Sequence, residues 1–213
     1  AGAIMKRMQS TETLGSTSAI NSDKTGTLTL NQMTAVQMVV VGRRYSVEGR
    51  GYSTVGQITR VGGQSEVPLE QFLLPMVLAS DAVLDGDNLI GDPTEGALVA
   101  LAAKGGLDPI STRQAWPRVA ELPFDATYKL MATFHRMTDD EGRPVVRAFI
   151  KGAPDQLLTR AGTVYDADNG RIPVDGEVRD RYLAENQRLG EQGLRVLATA
   201  RRDFDPAGFD ETA

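Results

Sequence analysis

The 213-residue sequence contains no cysteine, so disulfides and thiolate metal sites are excluded and the redox compartment is left unread. It has a single histidine, His135, which leaves no histidine-based zinc site. No apolar run approaches the roughly 20 residues a membrane-spanning helix needs. The nearest candidate, residues 72–79, is short and carries Pro75. The first ten residues lack an apolar core behind their charges, so no secretory leader is expected. Basic charge is not in excess either. Lys and Arg number 23 against 28 Asp and Glu, and the net charge of -5 argues against a nucleic-acid partner. What is present is the composition of a folded globule, 41% hydrophobic and 24% charged. The length suits one large domain, or one domain with part of another. No internal repeat is evident.

One stretch stands out chemically: Ser22-Asp23-Lys24-Thr25-Gly26-Thr27-Leu28-Thr29, placed after a short strand candidate at 17–22. It gathers a carboxylate, an ammonium, several hydroxyls and a glycine. A carboxylate can attack the terminal phosphorus of a nucleotide, while the lysine and a bound Mg²⁺ neutralise charge spreading over the phosphoryl oxygens. Gly26 lets backbone approach closely, and the threonines supply hydrogen bonds. The plainer alternative is a polar loop after a strand.

The rest of the chain reads as alternating strands and helices. Residues 35–41 and 44–48 flank Gly42-Arg43 and predict a β-hairpin, with a weaker strand at 57–61. Apolar spacing predicts a helix over 68–84, ended by Asp85-Gly86 and kinked or divided at Pro75. Asp92-Pro93-Thr94-Glu95 opens another helix. Asp92 suits the N-cap and Pro93 the first helical position, and Glu95 stands where a capping-box glutamate reaches back to free amides. Strands are expected at 116–122, 128–137 and 144–150, antiparallel through the turn at 139–142. Lys151 then ends a strand, Gly152 clears space, and Pro154 begins a helix through Arg160. A polar hairpin is expected at 162–176, a helix at 177–192 stopped by Gly193, and a strand at 194–200.

Five strings, DKTGTLT, DPTEGAL, FDATYK, KGAP and LRVLA, occur in the order found in P-type cation-transporting ATPases, and the sequence resembles that family along nearly its whole length. The flanks of DKTGTLT are most similar to the calcium-pump-like branch, with a bacterial look. The resemblance implies an α+β fold: a twisted antiparallel β-sheet flanked by helices, the nucleotide-binding domain over 35–213. Residues 1–34 would be a stalk linker and the first part of the phosphorylation domain. It further implies that Asp23 is phosphorylated by ATP, with Lys24 as electrostatic neighbour and Mg²⁺ held by Asp23 and the Thr25 carbonyl. Adenine would lie near Phe124, Glu95 and Leu197, with Lys151 and Gly152 deep in the cavity and the phosphates near Arg195 and Lys129. Ala126 stands where some calcium pumps carry a phosphate-contacting arginine.

By the same resemblance the chain is a soluble, monomeric piece of a multi-pass pump at the cytoplasmic face of a cell membrane. Its partners would be ATP and the remaining phosphorylation, actuator and transmembrane domains, and the parent would couple ATP hydrolysis to cation transport. Two further family strings, T-G-D and G-D-G-x-N-D, are absent, so the chain alone is expected to bind ATP without turning it over. Two alternatives remain. One is a non-catalytic nucleotide-sensing module. The other is a soluble haloacid-dehalogenase-type phosphatase, disfavoured because Thr25 takes the place of that family's general acid and base.

Overall fold

The computed structural model describes residues 30–63, 66–86, 88–166 and 170–210. The chain divides into two units, Ala1–Gln32 and Met33–Ala213. Asp23, Lys24 and Thr25, and the strand expected before them, belong to the first and lie outside the described residues.

The second unit is α+β, with antiparallel sheets flanked by helices. Strands β1 (Gln37–Val40) and β2 (Arg43–Val47) form the expected hairpin, and β3 (Ile58–Val61) completes a three-stranded antiparallel sheet in the order β1-β2-β3. Helix α1 (Glu70–Leu78) follows, then a two-stranded ribbon, β4 (Val83–Asp85) and β5 (Asn88–Ile90). Helices α2 (Pro93–Lys104) and α3 (Pro109–Ala115) lead to β6 (Arg118–Asp125), β7 (Leu130–Thr138) and β8 (Pro144–Gly152). Helix α4 (Pro154–Arg160), hairpin strands β9 (Thr163–Tyr165) and β10 (Arg171–Pro173), helix α5 (Gly176–Glu191) and β11 (Ala198–Phe204) complete it. The larger sheet runs β11-β8-β7-β6, antiparallel throughout.

Helix α1 is the shared wall between the two sheets, and its sequence shows why. Glu70-Gln71-Phe72-Leu73-Leu74-Pro75-Met76-Val77-Leu78 is apolar on nearly every side after its first two residues, the pattern of a helix buried all round. Leu73, Met76 and Val77 pack with Met38, Val40, Tyr45 and Val47 of the smaller sheet and with Leu101 and Ala102 of α2. Leu78 and Ala79 pack with Phe149 of β8, joined by Leu74, Trp116 and Met137. Leu73 is fully buried, which at about 1.5 to 3 kcal/mol makes it one of the larger apolar contributions.

The helix is shorter than its apolar pattern predicts. It stops at Leu78, and residues 83–85 are a strand. Asp85-Gly86 is a hairpin signal, and Gly86 takes the left-handed φ of +59° that the turn requires. The turn therefore overrides the apolar spacing. The expected strand at 194–200 is also displaced. Gly193, at φ +75°, ends α5 as expected, but 194–197 are irregular and β11 starts at Ala198.

His135, on β7, is buried at 2% exposure. Its Nδ1 lies 2.8 Å from the Trp116 carbonyl, which can only accept, so the neutral ring carries its proton there. The Thr133 hydroxyl lies 3.0 Å from His135 Nε2 and 3.2 Å from the Leu78 carbonyl, so its one proton serves one of them at a time. This chain ties the ends of α1 and α3 to the sheet. Burial lowers the His135 pKa below its usual value, and the nearby Arg118 adds to the effect.

Candidate functional site

Most of the residues singled out in the sequence fall at one end of the larger sheet. The register sets Gly152, at the end of β8, opposite Leu130 at the start of β7 and Ala198 at the start of β11. Leu197 directly precedes β11, and Arg195 stands two residues further back in the irregular segment. Phe124 and Lys129 bracket the β6–β7 turn at this same end.

That turn is built by Asp125. Its Oδ1 accepts from the Thr127 and Tyr128 amides at 2.7 and 3.0 Å, which holds its carboxyl below the usual range. The Asp125 carbonyl accepts from the Lys129 amide at 2.7 Å, closing the turn. Lys129 has a left-handed φ of +53°, a conformation an L side chain adopts at a cost of about 1 to 2 kcal/mol. Its carbonyl accepts from the Ala153 amide at 3.0 Å. Gly152 is required here: an added Cβ would strike the Lys129 carbonyl oxygen and lie 2.8 Å from Leu130 Cβ. The space it clears is occupied by the turn.

The Lys151 side chain points to the face it shares with Met131 and Thr199, its cross-strand partners. It is 8% exposed, and its Nζ lies 2.6 Å from Glu95 Oε1 and 3.1 Å from Ser80 Oγ. Burial lowers the ammonium's pKa, opposed by Glu95, Asp81 and Asp92. Glu95 therefore does not complete the expected capping box. Asp92 caps α2 alone, accepting from the Thr94 and Glu95 amides at 2.8 and 3.1 Å. The Glu95 carboxylate is drawn away by a buried cation and by two amides, Asp81 at 2.7 Å and Ala82 at 3.1 Å, both on Oε2. A paired, hydrogen-bonded charge is the form in which a buried lysine is tolerated.

The rest of this end is open. Phe124 is 63% exposed, and Lys129 and Arg195 are exposed. An aromatic ring and two cations thus stand in solvent at the sheet end that also holds a buried ion pair. Tyr128, also exposed, lies with the Arg160 guanidinium 5.9 Å from its ring centre. A cleft of about 240 Å³ lined by Leu78, Ser80, Asp81, Arg113, Trp116, Arg118 and His135 lies beside the ion pair and shares Ser80 with it.

Sequence reasoning missed Ser80, the amides of Asp81 and Ala82, and Arg113. Arg113 donates to the carbonyls of Val77 (3.3 Å), Ser80 (2.9 Å) and Ala82 (2.9 Å). No local pattern announces such a clasp, since its partners lie more than 30 residues away.

The family model described as "P-type ATPase, cytoplasmic domain N" matches residues 68–213. The chain belongs to the P-type ATPase family. Among curated relatives it is 37% identical to the cation-transporting ATPase pma1 of Synechocystis sp. over 218 residues, 96% of this chain and 23% of that protein. It is 38% identical to the calcium-transporting ATPase 1 of Lactococcus lactis over 211 residues, 99% of this chain and 22% of that protein. It is likewise 38% identical to the human calcium-transporting ATPase type 2C member 1 over 205 residues, 93% and 22%. The chain thus spans less than a quarter of the length of these P-type ATPases. Among the described residues, no helix is long and apolar enough to cross a membrane.

Proposed function

We propose that the sheet end carrying Phe124, Lys129, Lys151, Gly152 and Leu197 is an ATP site, and that the chain is the nucleotide-binding part of a cation-transporting P-type ATPase. The reading rests chiefly on one observation. Phe124 and Lys129, both exposed, bracket the turn at the sheet end where β8 carries the buried Lys151–Glu95 pair, within the segment that matches the family's domain N. Phe124 offers a face on which a purine can stack. Leu197, at the other edge of the same sheet end, offers an apolar contact. Lys129 and Arg195 supply positive charge for the phosphates, and Lys151 with Glu95 would form the floor of the pocket. Glu95 keeps its place at the adenine end by facing Lys151, not by capping its own helix.

The phosphoryl acceptor would be Asp23, with Lys24 beside it. A carboxylate and the Thr25 carbonyl are hard oxygen donors of the kind Mg²⁺ prefers. On this reading the Mg²⁺ site belongs to that string, as the resemblance implies. Mg²⁺ would neutralise phosphoryl charge there. The acyl phosphate formed on Asp23 would drive cation movement in the whole pump, with this chain on the cytoplasmic side of the membrane. Thr25 in place of a general base would let that phosphate persist.

One aromatic stack contributes about 1 to 3 kcal/mol, and each charge-assisted hydrogen bond about 1.5 to 3. Set against an association cost of at least about 4 kcal/mol, the expected dissociation constant is on the order of 0.1 to 1 mM. The test is an ATP titration followed by NMR on the wild-type chain and on Phe124→Ala and Lys151→Ala. Both substitutions are expected to weaken saturation. Titration curves that match the wild type would remove these residues from the site.

A further inference from the structure

We infer that Arg113 is the positioning residue of this pocket, acting on Lys151 through a single turn of backbone and through Glu95. The inference rests on the nucleotide reading of the site, while the geometry of the clasp stands independently of it.

The turn after α1 has two sides. On one, the carbonyls of Val77, Ser80 and Ala82 accept from the Arg113 guanidinium. On the other, the amides of Asp81 and Ala82 donate to Glu95 Oε2. The Ser80 carbonyl and the Asp81 amide belong to one peptide group. In a trans peptide these two bonds point in opposite directions from a rigid plane. Fixing the Ser80 oxygen on Arg113 therefore aims the Asp81 N–H at Glu95, and the orientation of one cannot change without that of the other. The same segment carries the Ser80 hydroxyl to within 3.1 Å of Lys151 Nζ. Three of the contacts that set the pocket floor thus hang on how residues 77–82 are folded. Arg113 takes three of this segment's carbonyls, and the Thr133 hydroxyl faces a fourth, that of Leu78.

The clasp needs an arginine. Three carbonyls in different directions are met by a planar fork with several N–H groups, whereas a lysine offers one point charge on a flexible stem. Arg113 also lies in the last turn of α3, and its location at the end of α1 places a cation where that helix leaves carbonyls without helical partners. Its own electrostatic surroundings include Asp81 and Glu95, which favour the charged form against the cost of burial, and Arg118, which opposes it. The arginine contacts neither the proposed ATP position nor Lys151, so its effect on binding would be transmitted through Glu95.

The experiment is a double-mutant cycle on the 213-residue chain, with Arg113→Lys, Glu95→Gln and the pair, read by ATP titration and by the amide resonances of Asp81 and Ala82. Arg113→Lys is expected to weaken ATP binding about threefold to tenfold and to shift both amides. In the Glu95→Gln background most of that loss should disappear, because the group through which Arg113 acts has changed. Equal losses in both backgrounds, or unchanged affinity in Arg113→Lys, would overturn the inference. If Arg113→Lys does not fold, Arg113→Gln, whose amide retains two donors, takes its place under the same criteria. The nucleotide-free amide shifts keep the two readings apart. ATP that perturbs no resonance in the wild type defeats the nucleotide site. Asp81 and Ala82 amides that stay unmoved by Arg113→Lys defeat the positioning role whether or not ATP binds.

Discussion

Strand β8 carries a buried cation near each end, and the two are managed differently. Arg147, near the start, is 5% exposed and makes a two-bond fork to Asp203, its direct cross-strand neighbour on β11, at 2.6 and 2.8 Å. Around it the charges are also paired. Arg201 reaches Asp140 at 3.1 Å, and Arg143 reaches Asp139 at 2.7 Å. Lys151, at the other end, is a point charge whose partner Glu95 comes from a helix 56 residues away, and its neighbours Phe124, Lys129 and Arg195 stand exposed. The first arrangement closes on itself within the sheet. The second holds one ion pair in place and leaves ring and cations free to meet something else. Both ends are charged, and they differ in that the first pairs its buried cation within the sheet, whereas the second draws its partner from a helix.

The largest expected effect lies at the closed end. Asp203→Ala leaves the Arg147 guanidinium buried without its carboxylate, and should cost about 3 to 5 kcal/mol of stability in urea denaturation, with ATP affinity unchanged once the protein is folded. A small loss would mean that the pair is far more hydrated than its burial implies. Next comes the open end, where the expectation reverses. Phe124→Ala should weaken ATP binding by at least about fivefold, the effect of one lost stack. Its stability should change by no more than about 0.5 kcal/mol, as for an exposed position. Calorimetric unfolding and ATP titration on the same samples check both halves.

Smaller effects refine the contrast. His135 stands directly opposite Arg147 on the neighbouring strand, and its pKa is lowered by burial. The unfolded chain therefore takes up its proton first as pH falls. Stability should be fully present above the ordinary histidine pKa of about 6.5 and decline below it, with a slope no steeper than about 1.4 kcal/mol per pH unit for this group. In His135→Gln the histidine component of that slope should vanish, and a wild-type slope surviving intact in the variant would assign it to carboxylates instead. The smallest effect is expected at Lys129. Its left-handed backbone costs about 1 to 2 kcal/mol, while glycine adds unfolded-chain entropy of about 0.5 to 1. Lys129→Gly should thus leave stability equal or raise it by up to about 1.5 kcal/mol while weakening ATP binding. A clear loss of stability would show that the lysine side chain packs structurally.

The same division governs what could be read in the sequence. Hairpin β1–β2, the start of α2, the ends of α4 and α5, and the antiparallel run β6-β7-β8 are legible because each is set by residues close in sequence: Gly42 in a turn, Asp92 before Pro93, Pro154 at a helix start, Gly193 at a stop. The apolar pattern overextends helix α1 because Ala79, Ala82, Val83 and Leu84 keep apolar letters while the chain turns away, held by an arginine more than 30 positions later. Glu95 was given a local role its spacing permits, and long-range contact with Lys151 overrode it. The start of β11 was placed four residues early because Leu194-Arg195-Val196-Leu197 has strand-like letters, whereas the ladder with β8 begins only where Ala198 meets Gly152. Motif strings located the candidate site to one sheet end. They were silent on Ser80 and Arg113, since neither residue belongs to a pattern.

The most direct measurement is a residue-resolved map of ATP-induced amide shifts along β8 and its neighbours in the wild-type chain. The account predicts saturable shifts at Phe124, Lys129, Lys151, Gly152 and Leu197, with Arg147, Asp140 and Asp203 unmoved. Shifts centred on the Arg147 end, or spread evenly over both, would contradict it.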